Sequence, residues 1–150
     1  MKDIFDAAVT EAQVARVQAL TPWTRPVWGT MDAAQMLAHV NVAYEMVYED
    51  KHERPNRLLR LILRTFVKPS VVGEKPYRKG APTAPAFKIA GARDFERERE
   101  RLIAYLRRTQ ALGSAHFDGK ESHSFGDLTR TEWSNMFFKH LDHHLTQFGV

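Results

Sequence analysis

Apolar residues recur at near-helical spacing along most of this chain, and no segment alternates convincingly in the manner of a strand. From about Asp3 to Leu20, the positions Ile4, Phe5, Ala8, Val9, Ala12, Ala15, Arg16 and Leu20 follow a repeat near 3.6. The run Thr21-Pro22-Trp23-Thr24-Arg25-Pro26 ends it. A second helix is predicted to start after Thr30, an N-cap candidate, and to run to about Asp50. Pro55 precedes a short third segment, Arg57 to Phe66 (RLLRLILRTF), with a broad apolar side and arginine as its only charged residue. We read it as a lid over the end of the fold with its arginines in water. The alternative is a short membrane-surface or dimer helix, and as an exposed apolar patch it would suggest a partner surface.

From Val67 to Ala92, four prolines and three glycines predict a long connection without regular structure. Connections of that length tend to be functional or to cross the fold. A helix follows from about Arg93 to Leu112, with Phe95, Leu102, Ile103 and Leu106 as its core stripe and Gly113 as its stop. A polar loop then leads to the last helix, whose start is marked by the capping box Thr129-Arg130-Thr131-Glu132. The fold class expected is all-α, a four-helix bundle forming one domain over residues 1–150. Short loops join antiparallel neighbours, whereas a long crossover lets two consecutive helices run the same way. The expected order is therefore up-down-down-up, with the crossover between the second and third main helices.

Composition narrows the chemistry. There is no cysteine, so any metal site must be built from His, Asp or Glu, and a reducing, cytoplasmic setting is favoured. The net charge of +4 is a small excess with both signs interleaved, which argues against a nucleic-acid partner. The stretch Phe95 to Arg101 (FERERER) cancels its own charge and is expected to form a solvated helix face. No apolar run is long enough to span a membrane, so no membrane partner is expected.

The candidate chemistry lies near the C-terminus, in His140-Leu141-Asp142-His143-His144. At about 100° per residue, His140 and His144 are about 40° apart and share a stripe with Trp133, Met136, Phe137 and Gln147. That stripe faces a core, so the pair points inward. On the second helix His39 interrupts an apolar face shared with Gln35, Ala43 and Met46. With the two helices antiparallel, the rise per residue places His39 at the level of the pair. Three neutral imidazoles can hold zinc, nickel or iron and leave positions free for water or substrate. The plainer reading is a set of core histidines hydrogen-bonded to carbonyls. His143, Gln147 and Gln35 stand where they could support the site from behind. Asp142 turns away from the stripe, and His52, His116 and His123 carry no assigned role.

The chain also resembles the DinB/YfiT-like superfamily of metal-binding four-helix proteins, in particular a branch known only as a domain of unknown function. The resemblance is carried by Pro26-Val27-Trp28-Gly29-Thr30-Met31 leading into Gln35-Met36-Leu37-Ala38-His39. It is carried more specifically by Phe125 to Thr129 with Glu132-Trp133, and by His140 to His144 with Gln147-Phe148-Gly149. It implies a divalent metal on one histidine of the second helix and two of the last, here His39, His140 and His144. Some members transfer low-molecular-weight thiols to electrophiles or isomerise thiol adducts. The expectation is thus a metal-dependent thiol S-transferase or hydrolase acting on a small-molecule or thiol substrate. The competing expectation is a non-enzymatic helical module, a homodimer, whose histidines are structural.

Overall fold

A computed structural model describes residues 1–150. The chain is mostly helical: α1 spans Ala7–Ala19, α2 Ala33–Tyr48, α3 Arg57–Ile62, α4 Lys68–Val72, α5 Phe95–Phe117 and α6 Arg130–Gln147. A π-helical turn, Leu63–Val67, joins α3 to α4, and a single 3-10 turn, Pro85–Phe87, interrupts the crossover. Two three-residue strands, β1 (Lys120–Ser122) and β2 (Gly126–Leu128), pair antiparallel with Lys120 opposite Leu128.

Side chains that satisfy free backbone N–H groups set the helix starts. Asp6 accepts from Ala8 and Val9, so α1 opens at Ala7 and not at Asp3. Asp32, not Thr30, caps α2: it accepts from the Gln35 N–H at 2.7 Å, and the Gln35 amide oxygen accepts from the Asp32 N–H at 3.1 Å. The expected box at α6 is formed, with Thr129 and Glu132 bonded to each other's backbone N–H. Gly113 adopts φ +74°, breaking α5 before one last turn that delivers Phe117 into the core. Only glycine enters that region without strain.

The core lies between α1, α2, α5 and α6. α2 is central and buried on nearly every side, through Met36, Leu37, Val40, Val42 and Tyr44. The Tyr44 ring stacks between Phe137 of α6, at 4.9 Å, and Tyr105 of α5, at 5.5 Å. Burial of each such side chain contributes about 1.5–3 kcal/mol before chain entropy is set against it. In α1 the buried face is Thr10, Gln13, Val14 and Val17, while Ala8, Ala12 and Ala15 are exposed. The expected stripe is thus rotated, because the two valines hide more apolar surface than the alanines do and Thr10 satisfies its hydroxyl on the Ile4 carbonyl at 2.6 Å.

Cross-links between α2 and α5 advance together along both helices: Asn41 to Glu98, Glu45 to Arg101, and Tyr48 to Thr109. Those between α2 and α6 run in opposite senses: His39 meets His140, and Tyr44 meets Phe137. The FERERER stretch is therefore not wholly a solvated face. Glu98 is buried against Asn41 and Arg101, and Arg101 reaches Glu45 across the helix boundary. Burial works to raise the Glu45 carboxyl, but Arg101, His52 and Lys51 outweigh it and hold it below the usual range.

Three expectations are corrected in the connections. Part of the 67–92 crossover is ordered: Val72 is buried, and α6 anchors α4 through Asn135 to the Val72 carbonyl at 2.9 Å and Lys139 to the Ser70 carbonyl at 2.8 Å. Pro69 is compatible with this because it sits in the first turn of α4. The polar loop before α6 contains the hairpin, whose strands are too short to display an alternation. The segment read as a lid does not bury its apolar side, since Leu58, Leu61, Ile62 and Phe66 are all exposed. No helix is long and apolar enough to cross a membrane.

Candidate metal centre

His39 reaches the site from the first half of α2, and His140 and His144 from the last two turns of α6. One ring nitrogen from each of the three can be chosen so that all lie within 4.8 Å of one another. His39 Nε2 lies 3.1 Å from His140 Nε2. Nitrogen ligands about 2.0–2.1 Å from a zinc ion stand roughly 3.3 Å apart in tetrahedral geometry, so small side-chain adjustments would bring three donors onto one ion. His39 and His144 are buried, and His140 is half-buried.

The outer hydrogen bonds select tautomers. His39 Nδ1 lies 2.8 Å from the Phe87 carbonyl, which can only accept, so Nδ1 carries the proton and Nε2 is left with a free lone pair. His144 Nδ1 lies 2.8 Å from Gln147 Oε1. The other end of that amide donates to the Trp28 carbonyl at 2.7 Å, which fixes its orientation and makes His144 Nδ1 a donor. Supporting acceptors of this kind orient a metal-binding imidazole and raise its basicity.

All three imidazoles are held neutral. Burial lowers His39, partly opposed by its bond to the Phe87 carbonyl. Burial and the neighbouring His144, His39 and His143 push His140 well below its ordinary value. Burial and His39 lower His144 to about 3, against the opposing bond to Gln147. Neutral imidazole is the form that ligates a metal. Three neutral imidazoles meet here, two of them with Nε2 left unprotonated by the outer bonds, and such a set of nitrogen donors could hold a divalent cation.

The remaining candidates fall as follows. Gln147 stands directly behind His144. His143 packs edge-on to Trp28 and Tyr77, at 5.8 and 5.7 Å, and its ring lies 5.0 Å from that of His144. Gln35 is at the start of α2, bonded to the Asp32 N–H and the Gly91 carbonyl, where it ties the end of the crossover to α2. Asp142 pairs with Arg16 at 2.6 Å. His52 bonds Glu45, away from the triad.

Two further groups at the site come from outside the long helices and are not marked in the side-chain pattern. Phe87 gives His39 its acceptor and sets its ring edge-on to His140 at 5.6 Å. Trp28 belongs to the Pro26–Met31 motif; its carbonyl holds the Gln147 amide, and its ring lies edge-on to His143. Beside His143 a cleft of about 230 Å³ opens between Trp28, Tyr77, Lys79 and Lys139. Lys79 Nζ lies 4.1 Å from the centre of the Trp28 ring, and burial lowers Lys139 to about 8.

A family model described as Protein of unknown function (DUF1569) matches residues 4–149. No curated protein and no solved structure matches the chain. The chain belongs to this family of unknown function.

Proposed function

We propose that His39, His140 and His144 hold one divalent metal ion and that the protein uses it on a small-molecule substrate, as a transferase acting on thiols or as a hydrolase. The observation that carries the reading is the meeting of three neutral imidazoles, two of them with their Nδ1 protons committed to outer acceptors. Zinc, nickel and iron all suit a nitrogen donor set. When bound, the ion would supply Lewis acidity to a substrate at its remaining positions. The chain's own groups would do the rest. Phe87 and Gln147 orient the donors, and the rings of Phe87 and Tyr77 limit water around His140. The neighbouring cleft, with Lys79 and Lys139 on its wall, is the place we assign to the substrate.

The same reading places the chain in the DinB/YfiT-like superfamily and its four long helices in a bundle of up-down-down-up order. The parallel cross-links of α2 with α5 and the antiparallel ones of α2 with α6 support that order.

One observation favours a purely structural triad. The 3.1 Å contact between His39 Nε2 and His140 Nε2 can be a shared proton, with His140 donating. Titration with Co²⁺ separates the two readings. A visible band of low-coordinate cobalt, saturating at one equivalent and absent in His140→Ala, supports the metal site. No band in the folded wild-type protein overturns it.

A further inference from the structure

Of the nine large apolar side chains exposed on this molecule, five fall within nine residues: Leu58, Leu59, Leu61, Ile62 and Phe66. Leu58 and Phe66 are 70% and 76% exposed. A surface helix ordinarily turns its apolar stripe toward the core. α3 and the π turn after it do the reverse, and contiguous exposed apolar surface marks an interaction site.

The charges say what kind of surface would cover it. From Pro55 to Gly73 there is no acidic residue, while Arg57, Arg60, Arg64 and Lys68 are all cationic. Arg60 and Lys68 turn back to Glu121 and Glu132. Arg57 and Arg64 are exposed and remain free beside the apolar residues. A second copy fits poorly. A twofold contact through this face would bring the same arginines of both copies together, and one short helix offers far fewer than the roughly 20–30 residues per side of a stable interface. An anionic lipid surface fits both features: the apolar side chains enter the headgroup boundary, and the arginines remain among the phosphates.

We infer that α3 and the following turn dock the protein onto anionic membranes. The helix lies in the interface and does not span the bilayer, so the lack of a spanning run is no obstacle. Its anchorage to Glu121 of the hairpin places it toward the start of α6, whereas the triad lies toward the end of that helix.

The test is co-sedimentation of the full chain with vesicles of phosphatidylcholine, alone or with one-third phosphatidylglycerol. Binding severalfold greater to the anionic vesicles, falling as salt rises, is expected. The exposed double change Leu61→Ser with Phe66→Ser should lower binding at least tenfold without altering the melting temperature, and Arg57→Gln with Arg64→Gln should remove the preference for phosphatidylglycerol. No binding to either vesicle, or equal binding by wild type and the apolar double variant, overturns the inference. A dimer that disappears with Phe66→Ser would also overturn it and assign the face to a second copy.

Discussion

Gln147 Oε1 accepts a hydrogen bond from His144 Nδ1 at 2.8 Å, and the same amide donates to the Trp28 carbonyl at 2.7 Å. The loop before α2 thereby fixes, through one side chain, which nitrogen of a candidate ligand on α6 stays free.

Gln147→Leu keeps much of the volume and removes the acceptor. Metal affinity is expected to fall about 10- to 100-fold, the usual cost of losing such a partner. Competition against a chromophoric chelator measures it. Unchanged affinity would show that the Gln147 bond does not prepare His144 for binding.

Gly29 combines a left-handed backbone with a close neighbour from the site. Its φ is +86°, and an added Cβ would lie 2.6 Å from Gln147 Nε2. Gly29→Ala should lower stability by about 1–2 kcal/mol through strain. It should also weaken metal binding in the same direction as Gln147→Leu, because the Gln147 amide must move. Urea unfolding and the chelator competition read the two effects separately.

The triad predicts a particular acid response of the metal-free protein. In the unfolded chain an imidazole takes up its proton near pH 6.5, whereas in the native state burial holds His144 neutral down to about 3. The unfolded state therefore binds more protons as pH falls. The stability contribution is complete above pH 6.5 and is lost progressively as pH drops from there toward 3. His144→Leu should flatten that decline, which urea midpoints at several pH values would reveal. Parallel curves for the two proteins would contradict it.

Tyr44 carries a different kind of cost. Its ring is stacked between Phe137 and Tyr105, yet its buried hydroxyl meets no hydrogen-bonding group of the protein. Tyr44→Phe keeps the stacking and removes the orphaned group, so stability should rise by about 1 kcal/mol. A loss of stability on thermal or urea unfolding would mean that the hydroxyl is satisfied.

What was legible in the sequence follows the range of the forces involved. The long helices could be read because their apolar spacing and caps are local, as at Thr129 and Glu132. The triad could be read because its three histidines interrupt apolar faces, where a solvated role makes no sense. The rotation of α1 could not, since alanine and valine count alike in an apolar pattern while only the valines are buried. Nor could the roles of Phe87 and Trp28, because a carbonyl is common to every residue and leaves no mark in the side-chain pattern. The exposure of α3 was equally hidden, since periodicity locates an apolar face without saying what meets it.

The most direct measurement is the metal content of tag-free protein, wild type and His140→Ala, by elemental analysis, alongside melting before and after chelation. The account predicts one divalent ion per wild-type chain, none in the variant, and a lower melting temperature for wild type once the ion is removed. Wild-type protein that takes up no stoichiometric metal, melts unchanged with chelator, and is no less stable after His140→Ala would contradict it.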